Sequence, residues 1–205
     1  MCAGIRVNYR AFIPSSGRAE MWITPYHHET DFSFPLEFDS KVQIFVEQTL
    51  GWQLDIAEEV IEKVRHSGFA VLSIVMSYFE KIGKYRKGFA DIGESRHYFK
   101  EGAYFVFPSL RDISPEIVNK LLDAIYEGCR CGLYHSGITN SEIIITGDFD
   151  KPIGLGPDQK KLIVNPHLLI PALKSHLKNY ETQLRNPENV EIRQKFEHRF
   201  DYDWT

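Results

Sequence analysis

The sequence predicts a mainly α-helical bundle with a small β-hairpin late in the chain. Three observations carry that expectation. Apolar residues recur at spacings of three and four through successive segments, the pattern that lines one face of a helix. Helix punctuation falls at the ends of those segments, as in Ser114-Pro115-Glu116, Asn165-Pro166 and the glycine Gly88. Only two short runs, EIIIT and KLIV, are rich in β-branched residues, and Gly, Pro and Asp crowd between them. With 205 residues, 43% hydrophobic and 25% charged, the chain has the composition of a folded protein and the length for one core with appendages. The expected division is an irregular N-terminal arm over 1–39, a helical domain over 40–184 and a C-terminal helical extension over 185–205.

The arm mixes aromatics with Pro14, Pro25 and Pro35 and keeps no steady period, apart from a short strand expected at Glu20–Thr24. Its adjacent histidines, His27 and His28, would point to opposite faces of a strand and have no CxxC or HExxH partner, so they read as a surface pair rather than metal ligands. Asp39 or Ser40 caps the first expected helix, which runs to about His66 with Val42, Phe45, Val46, Leu50, Leu54, Ala57, Ile61 and Val64 inward. Gly51 is the place where it would bend. The next helix, about Phe69 to Arg86, is apolar nearly all round at first and so belongs at the centre of the bundle. It ends in Lys84, Arg86 and Lys87 beside Gly88, charges that suit a helix C-terminus and could also hold phosphates.

Glu94–Phe107 is a third helix dense in aromatics. Its Arg96, His97 and Lys100 interleave with Tyr and Phe as a base-stacking surface would, but aromatics at helical spacing more often form core. From Ser114, a fourth helix carries Ile117, Leu121, Leu122, Ile125 and Cys129 inward and ends in EGCRCGLYHSGITN. Glu142–Thr146 and Lys161–Val164 form the expected hairpin, with Gly154 and Gly156 serving turns between them. Asn165 and Pro166 then open a helix to about Leu184, with Pro171 in its early turns, and a last helix spans about Glu188 to Phe200 as a docking arm or dimer element.

A formal net charge of -4, from 24 basic and 28 acidic residues, excludes a chain-wide cationic field for nucleic acid or anionic lipid, so such a partner needs a local patch. Three cysteines, Cys2, Cys129 and Cys131, form no even disulfide framework and point to a reducing, cytoplasmic compartment. The polar N-terminus lacks a secretory core, and the longest apolar run, Gly68–Phe79, falls short of the about 20 residues a membrane span requires. No cofactor is expected.

The candidate chemistry lies in the fourth helix. Arg130 and His135 stand five apart, about 140° around an ideal helix, so they share a site most readily where a twofold-related copy brings the same pair. Histidine moves protons near neutral pH and arginine grips phosphate oxygens, a pairing suited to metal-independent phosphodiester cleavage with His135 as general acid. Glu127 is the candidate to orient Arg130. Cys131 and Tyr134 flank the pair, and Lys84, Arg86 and Lys87 are the candidate RNA contacts.

The stretch RCGLYHSG resembles the Arg-x4-His signature of the HEPN superfamily, and the order of elements from Ser40 to Leu184 is similar to that family's helical bundle. The resemblance implies a homodimer in which two motif helices face each other to form a composite endoribonuclease site, with Arg130 and His135 as the motif residues, of the kind found in toxin and defence proteins that pair with an antitoxin or other protein. Cys131 stands where many members carry Asn, Asp or His. The superfamily also includes non-catalytic members, which implies a second class, a nucleotide- or protein-binding module.

Overall fold

A computed structural model describes residues 21–88, 93–132, 143–156 and 161–204. The chain is mainly helical: α1 (Phe38–Thr49), α2 (Asp55–Lys63), α3 (Gly68–Val75), α4 (Ser77–Lys87), α5 (Ser95–Val106), α6 (Pro115–Ala124), α7 (Pro166–Arg185) and α8 (Val190–Trp204). Strands β1 (Ile143–Ile145), β2 (Ile153–Leu155) and β3 (Leu162–Val164) form one small sheet.

The first expected helix begins a little earlier, at Phe38 after Glu37, and reaches Lys63 through a π-helical turn, Leu50–Leu54, between α1 and α2. The wider turn holds Gly51, where an added Cβ would lie 2.5 Å from Pro25 Cγ, so the N-terminal arm presses on the helix at that point. Ile23 and Thr24 of the arm are buried, and of the strand expected at Glu20–Thr24 the described residues, from Met21 on, form a single bridge between Trp22 and His28. His27 Nδ1 and the Thr24 hydroxyl both meet Glu47, at 2.8 and 2.7 Å, which ties the arm to α1.

The apolar central helix is divided into α3 and α4 at Met76, whose dihedrals stay helical, and Val71, Leu72, Val75, Tyr78, Phe79 and Ile82 are all buried. Gly88 ends α4 at φ 74°, its N–H donating to the Lys84 carbonyl, as a left-handed helix cap requires. Two glycines let α4 and α5 approach more closely than side chains permit. A Cβ on Gly83 would collide with the Tyr98 carbonyl, and one on Gly102 with the Phe79 carbonyl.

The C-terminal extension belongs to the same core. Phe196 of α8 sits 5.4 Å from both Phe45 and Tyr85, ring centre to ring centre, and Lys41 of α1 reaches Glu197 at 2.7 Å and Asp201 at 2.8 Å. Aromatic burial of this kind contributes about 2–3 kcal/mol per fully buried ring, enough to anchor a terminal helix.

The sheet corrects the expected hairpin. EIIIT and KLIV lie side by side but run parallel, Ile143 opposite Leu162 and Ile145 opposite Val164. The antiparallel partner of β3 is β2, the IGL between them, with Leu155 opposite Leu162. A three-residue strand with glycine at its centre leaves almost no pattern in a sequence, and Gly154 is there because Phe149 Cζ lies 2.8 Å from where a Cβ would stand. Asn165 then links sheet and helix: its side chain accepts from the His167 N–H at 3.0 Å, capping α7, and donates to the carbonyls of Gly147 and Phe149. Pro171 lies within α7 without ending it. Among the described residues no helix is long and apolar enough to cross a membrane.

Candidate functional site around Arg130

Helix α6 does not stop where its α-helical bonding does. It runs on as a π-helical segment, Ile125–Cys131, with Ile125, Gly128 and Cys129 buried and Arg130 directed to the neighbouring helix α4. Such wide turns re-aim side chains and occur often at functional sites. Arg130 Nη2 donates to Glu80 Oε2 at 3.2 Å.

Glu80 is the hub. Its side chain is only 12% exposed, Lys84 donates to Oε1 at 2.6 Å, and the Ser95 hydroxyl donates to Oε2 at 2.6 Å. Burial by itself would raise the Glu80 pKa, but the hydrogen bonds from Lys84 and Ser95, with the charges of Lys84 and Arg130, outweigh it and hold the carboxyl below its usual range. The result is one carboxylate between two cations. Arg130 is thereby oriented toward α4 by the bond from its Nη2 to Glu80.

Tyr126 borders the same place. Burial raises its pKa, a hydrogen bond with Ser95 opposes the rise and Cys131 adds to it, so the phenol stays protonated and lies among Ser95, Cys131 and Arg130. The two cysteines differ: burial pushes the Cys129 thiol up to about 12, whereas Cys131 is half-buried.

Glu127, expected to orient Arg130, pairs instead with Arg96 at 2.7 Å. Arg96 also meets Asp123 at 3.3 Å, Lys100 meets Asp123 at 2.9 Å, and Tyr98 and Phe99 are buried, so these aromatics of α5 are core and Arg96 and Lys100 are paired. The basic end of α4 is divided among three sets of partners. Lys84 belongs to Glu80, Lys87 pairs with Glu101 at 3.0 Å, and the Arg86 guanidinium lies 4.2 Å from the centre of the Tyr180 ring in the interior. His135 and Tyr134 lie outside the described residues, as does Gly137. Among the described residues no group of three or more His, Cys, Asp and Glu side chains is placed to hold a metal ion.

Glu80, Ser95 and Tyr126 were not singled out by sequence. A signal for the first existed: a lone carboxylate in the apolar central helix, four residues before Lys84, with no obvious reason to be buried. Ser95 and Tyr126 reach the site only through the packing of α5 and α6 on α4. No family model, curated protein or solved structure matches this chain.

Proposed function

We propose that the chain is a HEPN-like, metal-independent endoribonuclease that acts as a homodimer, with Arg130 and His135 of the motif helix as its catalytic residues. The observation that supports the reading is the setting of Arg130, held at 3.2 Å by a carboxylate that Lys84 shares. A guanidinium is the side chain whose planar fork fits phosphodiester oxygens, and Lys84 adds a second cation beside it. In the reaction the ribose 2′-hydroxyl attacks the adjacent phosphorus, its proton leaving to solvent, while the bond from phosphorus to the 5′ oxygen breaks. Arg130 stabilises the charge gathered on the phosphoryl oxygens, and His135 gives a proton to the departing 5′ oxygen. The products are a 2′,3′-cyclic phosphate and a 5′-hydroxyl end. Of the basic cluster, Lys84 stands beside Arg130, joined to it through Glu80.

The second reading, a non-catalytic nucleotide- or protein-binding module of the same kind, is favoured by the partners of the other cluster members: Arg86 is under Tyr180 and Lys87 is paired. An RNA panel incubated with purified protein in EDTA separates the two. The enzyme reading expects cleavage that Arg130→Ala and His135→Ala each abolish; wild type and both variants equally inert would leave the binding module.

A further inference from the structure

A cavity of about 450 Å³ opens at the corner between α2 and α3, against the end of β1 and the start of α7. Arg65, His66 and His167 stand at its wall, and no carboxylate lines it. Among the described residues none of these three side chains forms an ion pair or hydrogen bond. Elsewhere Lys41, Lys84, Lys87, Arg96, Lys100 and Lys174 are each matched to carboxylates.

The backbone adds to the positive character. Gly68 opens α3, where a Cβ would come within 2.6 Å of Ile145 Cγ2, so the helix start is pressed against β1 at the cavity. No side chain caps that start, because the Ser67 hydroxyl donates instead to the Val60 carbonyl at 3.1 Å. The first turn of α7, whose His167 N–H is taken by the Asn165 side chain, also lines the cavity and adds no free backbone donor there. Thr146, also lining, is engaged with Asp148 just outside the cavity. Phe69, Ile145 and Val64 supply an apolar side.

A guanidinium and two imidazoles offer more donors than the two oxygens of a carboxylate can use, and they match a tetrahedral oxyanion. The apolar wall and the volume, within the range of small-molecule sites, call for a ring or short carbon body attached to it. We propose that the cavity walled by Arg65, His66 and His167 against Phe69 and Ile145 is a binding site for a small organic phosphate monoester. It is separate from the Arg130 site and does not rest on the ribonuclease reading.

The probes are phenyl phosphate, inorganic phosphate and uncharged phenol, titrated into the full chain and followed by calorimetry and by backbone amide shifts. Phenyl phosphate is expected to saturate and to move the amides of Ser67, Gly68, Phe69 and His167, with inorganic phosphate weaker and phenol silent. Arg65→Ala should weaken it about 10-fold, the scale of one charge-assisted contact, while Arg130→Ala leaves it unchanged. Absence of saturation overturns the proposal, as does binding that survives Arg65→Ala and His167→Ala, or that is lost with Arg130→Ala.

Discussion

Replacing Glu80 with glutamine removes one charge and almost no volume, so its effect measures what the carboxylate does. The side chain is 12% exposed and accepts from Lys84 and Ser95 at 2.6 Å and from Arg130 at 3.2 Å. A hydrogen bond to a charged group contributes about 1.5–3 kcal/mol. The three do not simply add, because Lys84 and Arg130 are 26% and 27% exposed and can rehydrate, and glutamine keeps one acceptor oxygen. The new amide, however, turns N–H donors toward two cations. The expected loss is about 3 kcal/mol at neutral pH. The sign of its pH dependence follows from the lowered carboxyl pKa. Below the ordinary value of 4.5 the unfolded chain takes up the proton before the folded one does, so the wild-type advantage holds above 4.5 and fades as pH falls through the lower folded value. Urea unfolding followed by circular dichroism, for wild type and Glu80→Gln at neutral pH and at about pH 3, tests both parts. Coincident midpoints at neutral pH, or a gap of the same size in acid, would refute the hub.

Three other expectations rest on different parts of the molecule. Gly83→Ala should destabilise by about 3 kcal/mol in urea unfolding, because its methyl meets the Tyr98 carbonyl, whereas the same change in an uncrowded helix gains up to about 1 kcal/mol. His176 is buried against Tyr78, with its pKa lowered from 6.5 to about 4 by burial and by Arg86, so acidification protonates the unfolded chain first and wild type loses about 3 kcal/mol between those values. The deficit of His176→Gln relative to wild type should therefore shrink over that window, and a constant deficit would show that the ring carries no such penalty. Iodoacetamide at mild alkaline pH should label Cys131 in the folded protein and spare Cys129, whose thiol is pushed to about 12, with both labelled in urea; peptide mass spectrometry reads the outcome.

Much of the helical architecture is legible in the chain, because it depends on local signals. Ser114-Pro115, Asn165-Pro166 and Gly88 mark real helix ends, and the apolar run after Gly68 does lie in the centre. What local signals cannot carry is pairing between distant segments. The parallel partnership of Ile143–Ile145 with Leu162–Val164 is a non-local choice, made possible when the short IGL takes the antiparallel edge of β3. Gly83 and Gly102 look like weak points of two helices until α4 and α5 are seen to touch backbone to backbone through them. The site divides in the same way. Arg130 is conspicuous in sequence because its type is reactive, while its pairing with Glu80, 50 residues away, is a contact between distant segments made from a π-helical segment that a 3.6-residue period does not foresee.

The ribonuclease reading stands on Arg130, and the most direct measurement is the end chemistry of RNA cut in EDTA by wild type and by Arg130→Ala. The account predicts 2′,3′-cyclic phosphate and 5′-hydroxyl ends from wild type, with the rate falling at least about 100-fold in the variant, the scale of one transition-state donor. Products with 5′-phosphate ends, or equal rates for the two proteins, would contradict it.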